Sequence, residues 1–167
     1  MTGWHIAQLN IARAQFPLDD PRIGEFVARL DEINALADGS PGFVWRLQSD
    51  SGNATDIQAT DDPQLIVNLS VWQGVDALFD FVYRTAHREV MAKRRQWFER
   101  PTGAYQVLWW VRAGHLPSVD EALARLQHLN MHGPSAHAFT FKQAFPPPDR
   151  AGEPDDLNPE PLCVGWS

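Results

Sequence analysis

Cysteine is all but missing from this chain of 167 residues: Cys163 is the only one. A single thiol excludes an internal disulfide and a cysteine-based metal cage. It stands in a proline-rich tail, where no rigid element would hold it beside a base, so it is a poor nucleophile. Long apolar runs are also lacking, and nothing approaches the roughly 20 residues a membrane-spanning helix needs. Met1 to Asn10 has neither the basic start nor the apolar block of a secretory signal, so a cytoplasmic protein is expected. Basic charge is short as well, with 14 Lys and Arg against 21 Asp and Glu and a net charge of −7. That balance argues against nucleic acid, which is bound mainly through basic neutralisation of phosphates. The sequence has no phosphate-cradling glycine loop, no nucleophile elbow and no repeat at solenoid spacing.

What is present is a globular composition, 44% hydrophobic and 21% charged, in a length that suits one core. Seven tryptophans stand out. Each brings a large apolar area and an N–H that requires a partner, which places them in a core, an interface or a ligand pocket.

The pattern predicts a strand over Trp4–Ile11. Asp20 is then placed to cap a helix that begins at Pro21 and carries Ile23, Phe26, Val27, Leu30, Ile33 and Ala37 at helical spacing. A short strand, Phe43–Leu47, precedes a polar loop over 49–62, and Leu65–Trp72 is the clearest strand. Helical segments follow at Gly74–Tyr83, with Leu78, Phe79 and Val82 inward, and at His87–Phe98. Tyr105–Arg112 is a strand. Ser118 and Glu121 form a capping box for a helix carrying Val119, Ala122, Leu123, Leu126 and Leu129, and Gly133-Pro134 ends it. Ala138–Phe145 reads as a last strand. Residues 1–145 are therefore expected to be the domain, and 146–167 a proline-rich acidic tail. The first six elements run β-α-β-β-α-β, the split βαβ order of an α+β ferredoxin-like fold, an antiparallel sheet with helices on one face.

Alternation divides the strands into two faces. Ala7, Leu9, Ile11, Val67, Leu69, Val71, Val107, Trp109, Val111, Phe139 and Phe141 form an apolar face, expected under the helices. Trp4, Ile6, Gln8, Asn10, Asn68, Ser70, Trp72, Gln106, Leu108 and Trp110 form a face of aromatics and short amides. Such a face is adhesive if left in water. A second copy of the same sheet would cover it, and a homodimer is expected on that ground.

From Ser70-Val71-Trp72 to Pro134 a run of motifs occurs in a set order. These include Phe81-Val82-Tyr83 with His87-Arg88, Arg94-Arg95-Gln96-Trp97-Phe98-Glu99, Val107-Leu108-Trp109-Trp110-Val111, and Ala113-Gly114-His115. Arg125-Leu126 with His128-Leu129, and His132-Gly133-Pro134 with Ala138-Phe139-Thr140-Phe141, complete it. On these residues the chain resembles a bacterial domain-of-unknown-function family, number 3291, of the dimeric α/β-barrel superfamily, which is antibiotic biosynthesis monooxygenase-like. The resemblance covers nearly all of Trp4 to Phe145. It implies a dimeric α/β barrel and supplies no chemistry of its own. The wider superfamily looks like a set of small-molecule proteins, including cofactor-free quinone-forming monooxygenases, haem proteins and stress-responsive barrels, and fold alone does not choose among them.

Several residues are candidates for chemistry. His87, where a helix restarts, is placed to titrate near neutral pH and is the candidate general base. It opens a basic stretch, Arg84 to Arg100, in which six cations face two acids. Arg94 or Arg95 in that stretch can clamp a carboxylate bidentately, or simply pair with acidic neighbours such as Asp61-Asp62. Asn68, Trp72, Arg94, Trp97, Trp109 and Trp110 are the candidate substrate-binding residues. His128 and His132 stand at i, i+4 without an intervening glutamate, so the metalloprotease motif is absent and no metal site is assigned. His115 lies in a turn.

Three functions follow. The first is a cofactor-free, monooxygenase-like enzyme acting on an aromatic or hydrophobic organic acid, with His87 as base. The second is a non-catalytic ligand-binding or stress-related barrel. The third is a haem-binding barrel with His87 or His115 as axial ligand. The pocket has two possible places: inside the dimer barrel on the amide face, or between sheet and helices, using Trp109 and the His87 helix.

Overall fold

The computed structural model describes residues 3–17, 19–48, 62, 64–84, 88 and 92–148. The strands are β1 (Trp4–Arg13), β2 (Phe43–Arg46), β3 (Leu65–Trp72) and β4 (Gln106–Arg112). The helices are α1 (Gly24–Asp38), α2 (Val75–Arg84), a single turn α3 (Arg94–Trp97) and α4 (Val119–His132). The sheet order is β2-β3-β1-β4, with every pairing antiparallel. This is the ferredoxin-like arrangement, with the two earliest strand–helix connections meeting in one sheet.

Local sequence sets the element ends. Asp20 caps as expected, its carboxylate accepting from Arg22 N at 2.8 Å, but the first turn it starts is a 3₁₀ turn, Pro21–Ile23, that runs into α1. Gly42 turns the chain from α1 into β2 with φ +84°, and a Cβ there would stand 2.5 Å from Ala77 Cβ, so only glycine allows α2 this close. Ser118 caps α4 by accepting from Glu121 N at 3.0 Å. The reciprocal half of the capping box does not form. The Glu121 carboxylate instead accepts from Trp109 Nε1 at 3.2 Å and pairs with His115 Nε2 at 2.8 Å.

Register confirms the division into two faces. Gln8 lies opposite Ser70 and Leu108, and Leu9 opposite Leu69 and Val107. What covers each face differs from the expectation. The apolar face (Ala7, Leu9, Val67, Leu69, Val71, Val107, Trp109) packs under α4 through Ala122, Leu126 and Leu129. The amide face lies under α1 and α2: Ile6, Trp72 and Leu108 pack with Ala37, Leu78, Phe81 and Val82. A second sheet is therefore not needed to bury the amide face of this chain. Its large members supply the helix contact, while Gln8 and Ser70 are buried but bonded to one another.

Three further expectations are corrected. Ala138–Phe145 does not form a strand; a tight turn joins Ser135 to Ala138 and only Phe139 pairs, with Leu108. Directly paired residues share a face, so Phe139 joins Ile6 and Trp72 rather than Ala7 and Leu9. On α2 Leu78 and Val82 face inward as expected, but the third inward residue is Phe81, whereas Phe79 is 38% exposed and meets Tyr83 and Phe141. A third cluster, Ala14, Ile23, Phe26, Trp97 and Phe98, closes the end of β1 against the α1 entrance and α3.

Candidate functional site

A cleft opens between the amide face of the sheet and the helices α1 and α2. Its floor is Gln8 and Asn10 of β1, Asn68, Ser70 and Trp72 of β3, and Tyr105 and Gln106 at the start of β4. Its roof and walls are Ile33, Asn34 and Ala37 of α1 and Leu78, Phe81, Val82 and Tyr83 of α2, with Phe43 and Arg46 of β2 at one side. Its cavity volume is about 70 Å³. The amide face, one of the two pocket positions left open by the sequence, is the face that α1 and α2 cover, whereas Trp109 of the other position lies across the sheet under α4.

The floor is a bonded network. Gln8 Nε2 donates to Asn68 Oδ1 at 2.7 Å and to Ser70 Oγ at 2.9 Å, and lies 3.3 Å from the Asn68 carbonyl. Trp72 Nε1 donates to the same Ser70 Oγ at 2.9 Å. These contacts satisfy the donors that would otherwise make burial of Gln8 and Trp72 costly. Trp72 is held by rings, with Phe81 stacked at 5.1 Å and Phe43 edge-on at 5.3 Å. At the rim Arg46 pairs with Asp38 at 2.8 Å, and the guanidinium of Arg94 sits 4.4 Å from the centre of the Tyr105 ring.

The candidate residues from the sequence separate. Asn68 and Trp72 line the cleft, and Arg94 reaches its edge by way of Tyr105. Trp97 is buried in the third cluster with Phe26 and Phe98. Trp109 lies on the opposite face under α4, where Arg125 stands 5.8 Å over its ring. Trp110 packs at the edge of the second core and donates to the Phe145 carbonyl at 3.0 Å. His87 lies outside the described residues. Gln8, Ser70, Phe81, Tyr83 and Tyr105 were not chosen from the sequence. Gln8 and Ser70 could have been found from alternation plus the antiparallel pairing of β1 with β3, which sets them side by side.

The remaining histidines stand away from the cleft. His115 is at the surface with Glu121. His128, His132 and His137 stack at the end of α4, with ring centres 4.6 and 4.5 Å apart. Arg125 donates from one nitrogen to His137 Nδ1 at 3.1 Å and to the His137 carbonyl at 2.9 Å. Burial, then the charge of Arg125, pushes His137 down to about 3, and burial also lowers His128. Arg125 itself falls to about 10, mainly from burial. Among the described residues no three metal-ligating side chains converge on a common ion position, and no histidine lines the cleft.

The architecture defines an α+β, ferredoxin-like protein with an additional helix on the second face of its sheet. The chain belongs to the family described as domain of unknown function 3291, which matches over residues 5–155. No curated protein matches it. Among solved structures it is similar to SnoaB, a cofactor-independent oxygenase from Streptomyces nogalater, at 18% identity and a TM-score of 0.44, covering 68% of this chain and 98% of that one. It is also similar to a protein of unknown function from Nitrosomonas europaea, at 13% identity and a TM-score of 0.43, covering 70% and 97%. A third is PA3566 from Pseudomonas aeruginosa, at 11% identity and a TM-score of 0.43, covering 65% and 92%. Among the described residues no helix is long and apolar enough to cross a membrane.

Proposed function

We propose that the cleft between the sheet and α1/α2 is a small-molecule site, and that the protein is a cytoplasmic, monooxygenase-like enzyme that needs no cofactor. The observation that carries this reading is the cleft itself: a bonded amide floor beside the stacked rings of Trp72 and Phe81. Ligand sites typically combine apolar walls with a few fixed polar groups. The substrate would be an aromatic or hydrophobic organic acid, with Asn68 and Trp72 on its ring and Arg94 or Arg46 toward its charge.

A cofactor-free oxygenation must draw its electrons from the substrate. A ring CH₂ made acidic by a neighbouring carbonyl loses a proton to the base, His87 in this reading. The carbanion reacts with O₂, and the sum is R–CH₂–R′ + O₂ → R–CO–R′ + H₂O. Haem is the runner-up cofactor, with His87 or His115 as its ligand; the position of His115, at the surface with Glu121, does not favour it. Oxygen uptake with anthrone, a carbon acid of this kind, tests the reading. One O₂ consumed per ketone formed, and loss of that activity in His87→Ala, support it. Tight binding without uptake favours the second reading, a non-catalytic ligand-binding barrel.

The domain is taken as residues 1–145, with 146–167 an appended tail, and a homodimer is part of the proposal. Its support is the family resemblance together with the exposed rings of Phe79 and Tyr83, which meet the half-buried Phe141. Sedimentation equilibrium showing a single-chain mass at micromolar concentration would count against it.

A further inference from the structure

The direction of each hydrogen bond in the cleft floor can be fixed without choosing a rotamer. An indole N–H only donates, so Trp72 Nε1, 2.9 Å away, makes Ser70 Oγ an acceptor. A backbone carbonyl only accepts, so the Gln8 atom 3.3 Å from the Asn68 carbonyl is the amide nitrogen. That nitrogen carries two protons, and these serve its two short contacts, Asn68 Oδ1 at 2.7 Å and Ser70 Oγ at 2.9 Å, the longer contact to the Asn68 carbonyl being a shared one. A hydroxyl has two lone pairs and one proton. Both lone pairs of Ser70 are therefore taken, by Gln8 and by Trp72, and its proton must point elsewhere. Ser70 lines the cleft, and no described protein group accepts that proton. Asn68 is set in the same way: its oxygen faces Gln8, so its NH₂ half is turned away from Gln8.

The geometry points to Ser70 as a specificity-determining donor in the cleft. Its hydroxyl, oriented by Gln8 and Trp72, recognises an acceptor oxygen, a ketone carbonyl or a phenolate, on a flat ring bound beside Trp72. This rests on the cleft being the ligand site and narrows the ligand's chemistry. Gln8 and Trp72 act here as positioning residues: they hold the lone pairs of Ser70 so that a ligand sees a donor. A ligand offering only a hydroxyl proton at that point meets donor against donor, and one without oxygen leaves the Ser70 proton unpaired, which costs affinity.

The test compares α-tetralone, which carries a ring ketone, with tetralin, the same skeleton without oxygen. Affinities are measured by titration, and the indole N–H resonance of Trp72 reports the site. Replacing Ser70 by Ala is expected to lower the tetralone-to-tetralin affinity ratio about tenfold, the worth of one good hydrogen bond. Ser70→Thr, which keeps the hydroxyl, is expected to restore it. An unchanged ratio in folded Ser70→Ala overturns the proposal. If neither ligand moves the Trp72 resonance of the unaltered protein, the cleft reading itself fails, and the proposal with it. The carbonyl infrared band of α-tetralone bound to the unaltered protein needs no variant. A shift below its position in cyclohexane is expected, and a band at the cyclohexane position overturns the assignment.

Discussion

One nitrogen of Arg125 donates to both the ring and the carbonyl of His137, at 3.1 and 2.9 Å, and so clamps the turn after α4 to the helix. The bond to Nδ1 requires a neutral imidazole, and burial beside Arg125 holds His137 down at about 3. The folded protein therefore binds fewer protons than the unfolded chain between about pH 6.5, the ordinary histidine value, and pH 3. Stability from this group is complete above pH 6.5 and is lost progressively as the pH falls through that window. His128, lowered in the same direction, adds to the loss. Unfolding measured from pH 7 to 4 should show this fall, and His137→Asn, which cannot protonate, should flatten it. An equally steep profile in that variant would contradict the assignment.

Gly42 is expected to be intolerant of any side chain. Its φ of +84° disfavours L residues, and a Cβ would meet Ala77 Cβ at 2.5 Å. Gly42→Ala should cost about 2–3 kcal/mol, from left-handed strain plus displacement of α2. Chemical denaturation measures it. Gly114, also at positive φ but with open space around it, is the control and should cost about 1–2 kcal/mol on replacement by Ala.

Trp109 should matter to stability and not to ligand binding. It is fully buried under α4 and bonded to Glu121 at 3.2 Å. Trp109→Phe keeps most of the ring area and loses that bond, for a cost of about 1–2 kcal/mol. Trp109→Ala should cost about 3–5 kcal/mol. In Trp109→Phe, the affinity of the cleft for an aromatic ketone is expected to stay within about twofold.

Phe139 couples the segment after α4 to the cleft wall. It is fully buried, pairs with Leu108, and packs in the cluster that holds Trp72 and Phe81. Phe139→Ala should cost about 3–5 kcal/mol and weaken ligand binding as well, because the cavity it leaves adjoins the rings that wall the cleft. Calorimetry of unfolding and a binding titration check the two parts separately.

The sequence was most legible where periodicity and turn chemistry agreed. β3 was read at its observed ends, Leu65 and Trp72, because Val, Leu and Ile alternate there with Asn and Ser. The caps at Asp20 and Ser118 were legible because their acceptors serve N–H groups two or three residues away. The membership of the two faces was legible for β1, β3 and β4. Their coverings were not, because alternation says which residues share a face but not which helices return to it. Phe139 was misplaced for a related reason: its partner, Leu108, lies far off in sequence, and a single bridge leaves no alternating run to read. The cleft was half legible. Asn68 and Trp72 were chosen by chemistry, whereas Gln8 and Ser70 matter through a bond between strands 62 residues apart, which no local pattern carries. Trp97 and Trp109 look like pocket residues by type and are core residues by place.

The most direct test of the cleft as ligand site is a titration of the isotope-labelled protein with α-tetralone, following the tryptophan indole N–H resonances. Trp72 lies in the cleft and Trp109 lies across the sheet beneath α4. The cleft account predicts that the Trp72 resonance moves saturably while that of Trp109 stays in place. Movement of Trp109 with Trp72 unchanged would put the ligand on the other face and contradict it.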